Sequence, residues 1–134
     1  MSTVKAASLQ NTGSGAPAFK NSSGTEIGQL VKAWVNFDAT GTVTIASSFN
    51  VSSITDVGQG RFQVNFTTAL SNANYVVSGT VGHDGDGSDS FVSLDDTSSN
   101  GMTPTASAFR FRTTQANTLD YKDKDITAVM VIGD

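Results

Sequence analysis

The sequence predicts an all-β fold, an antiparallel β-sandwich of short strands, with barrel-like closure left open. Three observations carry this expectation. Apolar and polar residues alternate over short runs, the period-2 signature of half-buried strands, and no window keeps a 3.6-residue period over three turns. Val, Ile, Thr and Phe dominate those runs, and proline occurs only at Pro17 and Pro104. Clusters of Gly, Asn, Asp and Ser interrupt the runs at roughly 8–12-residue intervals, the spacing of a sandwich or barrel.

Residues 1–29 contain few large apolar side chains beyond Val4, Leu9, Phe19 and Ile27. They are read as an extended shaft or linker arm whose few apolar residues are buried only against other chains, with a floppy terminus as the alternative. Two echoes, "QNTGSG" from Gln10 and "KNSSGT" from Lys20, each set turn-forming residues after a short apolar element. Two such units do not make a solenoid.

Residues 30–134 are read as the β-domain. In "LVKAWVNFD", Val31, Ala33, Val35 and Phe37 share one face, and Lys32, Trp34 and Asn36 the other. "ATG" at 39–41 is a tight turn, and "TVTIA" puts Val43 and Ile45 on one face. "DVGQG" at 56–60 turns the chain into "RFQVNF", with Phe62, Val64 and Phe66 inward and Arg61, Gln63 and Asn65 outward. Further strands are expected at "YVVSGTV" (75–81), "SFVSL" (90–94) and "ASAFRFRTT" (106–114), where Arg110 and Arg112 oppose Phe109 and Phe111. The closing "ITAVMVIG" is apolar on both faces and is expected to be buried on both. Trp34, the single tryptophan, lies on the polar side of its strand, where a large aromatic invites cover by another chain or by the arm.

Composition excludes several functions. The 134 residues suit one compact domain with an appendage. A net charge of −4 and the lack of a basic stripe argue against nucleic-acid binding, which needs cations to displace phosphate counterions. Cysteine is absent, so there is no disulfide framework and no thiolate metal site. The N-terminal stretch lacks a signal-peptide apolar core, and no apolar run is long enough to span a bilayer as a helix.

Residues 23–79 resemble the C-terminal domain of tail-fibre proteins of tailed bacteriophages and prophages. The resemblance rests on an ordered set of motifs: K-A-W-V-N-F, then G-T-V, S-F-N-V-S-S-I-T-D, a glycine turn, V-N-F-T-T-A-L and A-N-Y. The preceding "VKAASLQNTGSGAPAFKNSSGTE" is similar to the linker such fibres carry upstream. Beyond Gly79 the likeness fades. The resemblance implies a homotrimer at the distal end of a fibre, joined to upstream fibre segments. It also implies a virion protein, made in the host cytoplasm, that attaches the particle to a bacterial cell-surface receptor, saccharide or otherwise.

Loops on a rigid β-scaffold are the usual carriers of recognition. Three are long or distinctive: residues 83–89, 95–105 and 114–125. Tyr121 can stack on a sugar ring, and Lys122, Lys124, Arg110 and Arg112 can meet anionic groups. With Asp84, Asp86 and Asp89 they form the expected receptor surface. A solvated strand face and charged turns account for the same residues.

"HDGDGSD" brings His83, Asp84, Asp86 and Asp89 together, a donor set that suits a hard cation. The spacing is not that of an EF-hand, and a Gly/Asp turn explains the composition, so no metal and no cofactor are expected. Catalysis lacks partners. His83 is the only histidine, and no nucleophile elbow is present. Asp95, Asp96, Asp120, Asp123 and Asp125 fall in polar loops, with nothing to pair them as glycosidase carboxylates. The chain is therefore expected to be non-enzymatic. The alternatives are a structural trimerisation or connector segment and, further off, a glycan hydrolase.

Overall fold

The structure, a computed structural model, describes residues 6, 8, 10, 19–82, 89–96 and 101–133. The chain divides into two compact units, Met1–Leu30 and Val31–Asp134.

In the first unit, β1 (Phe19–Lys20) and β2 (Glu26–Gly28) pair antiparallel. Asn21 makes the turn between them. Its Oδ1 accepts the backbone N–H groups of Ser23 and Thr25, each at 3.0 Å. This is the second of the two sequence echoes, folded as an Asx turn closed by Gly24 at φ +80°.

The second unit is an antiparallel β-sandwich with no helix among the described residues. Its strands are β3 (Val31–Asp38), β4 (Thr44–Phe49), β5 (Val51–Gly58), β6 (Arg61–Phe66), β7 (Tyr75–Val81), β8 (Ser90–Leu94), β9 (Ala108–Gln115) and β10 (Thr127–Gly133). Sheet one has the order β4-β3-β10-β7 and sheet two the order β5-β6-β9-β8. Neither closes into a barrel.

Alternation sets the core. Ala33, Val35 and Phe37 of β3 and Val129 and Val131 of β10 face Phe62, Val64 and Phe66 of β6 and Phe109 and Phe111 of β9. Aromatic contacts join the sheets: Phe37 meets Phe62 edge-on at 5.3 Å, and Tyr75 of β7 meets Phe66 edge-on at 5.9 Å. The expected inward set of β6 is fully buried, and its outward set is not.

Two expectations are corrected. β10 was expected to be covered on both faces. It lies between β3 and β7, so both of its edges are paired, yet Met130 is 40% exposed and Ile132 nearly as open. Being central in a sheet covers a strand's edges, not its outer face. Val31, expected inward, is exposed, because the β3–β10 register shifts between Val131 and Ile132.

The chain changes sheet between β4 and β5 at a single residue, Asn50. Its φ of 54° lies in the left-handed region, which Asn tolerates better than other non-glycine residues. Its side chain fixes the corner: Nδ2 donates to the carbonyls of Lys32 and Thr68, and Oδ1 accepts the Thr68 N–H at 2.8 Å.

Candidate functional site

The outer face of sheet two is polar and cross-linked. Register sets its rows: Arg61 of β6 is opposite Arg112 of β9, which is opposite Ser93 of β8. One row further on, Thr114 pairs with Phe91 on one side and bridges to Tyr121 on the other.

Gly60 allows Tyr121 to sit there. Its φ is +62°, and a Cβ at this position would come within 2.5 Å of Lys122 N and 2.8 Å of Thr113 O. Without a side chain, the turn admits the backbone of residues 121–122 against the sheet. Gly60 N–H donates to Asp123 Oδ1 at 2.6 Å, Lys122 N–H donates to the Thr113 carbonyl, and Thr113 Oγ1 donates to the Lys122 carbonyl. A segment expected to be a free loop is thereby tied down.

Around Tyr121 two guanidinium groups share one carboxylate. Arg61 Nε and Nη2 both donate to Asp95 Oδ2, at 2.9 and 2.5 Å. Arg112 Nη1 stands 3.9 Å from Asp95 Oδ1 and donates to Tyr121 Oη at 2.9 Å, while Arg112 Nε donates to Ser93 Oγ. Both guanidinium carbons lie over the Tyr121 ring, at 5.9 and 5.6 Å from its centroid. Arg110 takes a separate path: its Nε donates to Gln63 Oε1, and Gln63 in turn donates to Asn65 Oδ1.

The sequence-derived candidates therefore fare differently. Arg110, Arg112, Tyr121 and Lys122 are half-buried in this second unit, and Tyr121 lies against two guanidinium groups while still lining the surface of sheet two. Lys124 is a correction: it is 0% exposed, so its ammonium is not offered to a ligand outside. The backbone explains why, since the Lys124 carbonyl accepts the N–H of buried Ala39 and draws the residue into the body of the domain. Asp89 is exposed, and its carbonyl accepts the Ala116 N–H. His83, Asp84 and Asp86 lie outside the described residues. Among the described residues no three His, Asp or Glu side chains converge as metal ligands.

Asp95, read from sequence as a loop residue, is 1% exposed and is the anion at the centre of the cluster. Phe91 and Thr114 were not singled out. A signal for Phe91 was available: alternation in "SFVSL" sets it outward, an apolar residue on the face that carries the arginines.

No protein-family model matches the chain, and neither a curated protein nor a solved structure is significantly similar to it.

Proposed function

We propose that this chain is the receptor-binding end of a bacteriophage or prophage tail fibre, non-enzymatic and assembled as a homotrimer. The observation that carries the reading is the ordered motif set over residues 23–79. Its domain motifs run from β3 through the sheet-switching corner at Asn50 to the start of β7. They are one part of the scaffold; the divergent remainder supplies β8, β9 and β10 and, together with Arg61 of β6, the cluster around Tyr121.

A second feature supports assembly. On the outer face of sheet one, Phe49, Trp34 and Met130 form one cross-strand row, with Val76 and Ile132 beside it. Phe49 is 54% exposed and Trp34 38%. Contiguous exposed apolar residues of this size mark an interaction surface. The same face would serve a connector segment that trimerises and binds no receptor, so cell binding is the discriminating measurement.

Labelled protein incubated with a panel of bacterial strains should bind some of them saturably, and should block phage adsorption to those strains. Failure to bind any strain would sink the receptor reading and leave the connector. Release of oligosaccharide from host polysaccharide would overturn the non-enzymatic reading.

A further inference from the structure

We propose that the pocket on the outer face of sheet two, between Phe91 of β8, Arg112 and Thr114 of β9 and Tyr121, binds a carboxylated pyranose. Its biological role as a receptor subsite rests on the fibre-tip reading; its chemistry does not.

The pocket is lined by Phe91, Ser93, Arg112, Thr114, Leu119 and Tyr121 and holds about 330 Å³. That is at the lower end of ligand-pocket sizes, roughly 300–1,000 Å³, and fits one sugar unit better than an extended ligand. Its walls combine two chemistries. Phe91 and Tyr121 flank Thr114 on opposite sides, and Phe91 is 44% exposed, which leaves an aromatic surface for the apolar face of a pyranose. At one end stands Arg112.

Arg112 is suited to an anion. Nε and Nη1 are fixed by Ser93 and Tyr121, and Nη2 makes no bond to a described residue. The guanidinium is held in one orientation before any ligand arrives, which reduces the ordering cost of binding. Asp95 does not neutralise it, because the closer Arg61 takes that carboxylate in two hydrogen bonds. The Arg61–Asp95–Arg112 group keeps one net positive charge. A guanidinium beside an aromatic ring selects a planar carboxylate on a sugar over a neutral sugar.

Thr114 adds an independent sign. It lines the pocket, it is only 5% exposed, and its Oγ1 is buried with no hydrogen-bond partner among the described residues. Such a group is unfavourable for folding alone and calls for another reason to be there. A ligand hydroxyl or ring oxygen reached by rotation of the threonine side chain supplies one.

Two sources carry this ligand chemistry, hexuronic acids and sialic-type acids, and the probes separate them. Methyl β-D-glucuronide, the methyl glycoside of N-acetylneuraminic acid and methyl β-D-glucoside are titrated into the full chain and followed by amide chemical-shift perturbation and saturation-transfer NMR. One of the two acids should bind, with shifts centred on Phe91, Thr114 and Tyr121, and roughly tenfold more tightly than the neutral glucoside, as a charge-assisted bond implies. Phe91→Ala and Arg112→Lys should each weaken binding by about tenfold or more. Thr114→Val should weaken binding while leaving the melting temperature equal or higher, an outcome that a purely structural threonine does not produce.

The proposal is overturned if neither acid binds, if the glucoside binds equally well, or if Phe91→Ala and Thr114→Val both bind like the parent. An acid that binds while the protein fails to attach to any bacterium keeps the site and removes the fibre reading. Blocked adsorption with no sugar binding does the reverse.

Discussion

Arg61 donates twice to one oxygen of Asp95, and that carboxylate is almost sealed from water. Asp95 follows directly on β8, and Arg61 begins β6, with β9 between those strands. The pair therefore ties the two strands that flank β9. It also sets the charge left over on Arg112, 3.9 Å from the other carboxylate oxygen.

Removing the anion should be costly. Asp95→Ala removes the carboxylate that accepts two hydrogen bonds from the Arg61 guanidinium, whose side chain is only 14% exposed. Breaking one half of a buried pair typically costs about 3–5 kcal/mol. Urea unfolding should show a loss of that order. The double variant Arg61→Met/Asp95→Leu should recover most of it, because an apolar pair carries no desolvation penalty. If the single change costs less than about 1 kcal/mol, the pair behaves as a surface ion pair and the account of the cluster fails.

Gly60→Ala tests how Tyr121 is placed. Gly60 and Gly41 share nearly the same left-handed φ, +62° and +64°, but a Cβ on Gly41 meets no atom of the described residues within 4 Å. Gly41→Ala should therefore cost only the left-handed penalty, about 1–2 kcal/mol. Gly60→Ala adds a clash with Lys122 N and Thr113 O, so it should cost more and displace residues 121–123. The check is the difference between the two variants in thermal unfolding, together with the Tyr121 chemical shifts. Equal costs and an unmoved Tyr121 would show that the close approach is dispensable.

Much of the sandwich was legible, because its core follows period-2 alternation. Phe62, Val64 and Phe66, and Phe109 and Phe111 beneath Arg110 and Arg112, all lie where alternation sets them. What alternation does not encode is which strands become neighbours. β10 lies between β3 and β7 through pairing of segments far apart in sequence, and packing of Val129 and Val131 against sheet two leaves Met130 and Ile132 on the open face. The site was half legible for the same reason. Arg112 and Tyr121 stood out by residue type. Asp95 and Arg61 are far apart in sequence and meet only through the β6-β9-β8 order. Lys124 was misread because composition marks a charged loop but not where its backbone is anchored.

The open row on sheet one should govern self-association. Met130 sits beside Trp34 in β3 and Ser78 in β7, at the centre of the exposed apolar surface. Met130→Glu puts a charge there without touching the core, so folding should be retained. Light scattering at about 10 μM should give a trimer mass for the parent and a monomer mass for the variant, since a buried unpaired charge opposes association by several kcal/mol. A parent that is already monomeric refutes the trimer. A variant that stays trimeric moves the interface to another face.

Tyr75 gives the domain an alkaline limit. Its ring packs against Phe66 and Phe109, and its hydroxyl donates toward the Thr105 and Ala108 carbonyls, at 2.9 and 3.2 Å. Burial pushes its pKa from 10.0 up to about 12. The folded state therefore keeps this proton at pH values where the unfolded chain has released it. Stability that rests on the neutral phenol is complete below about pH 10 and falls as pH rises towards 12. Tyr75→Phe cannot ionise. At pH 9 it should be less stable than the parent by about 1 kcal/mol, the value of the lost hydrogen bonding. Towards pH 12 that gap should shrink, because only the parent loses stability by this route. Urea unfolding of both proteins at pH 9 and near pH 11.5 measures it. A gap that stays constant across that interval would mean the Tyr75 hydroxyl does not titrate with folding.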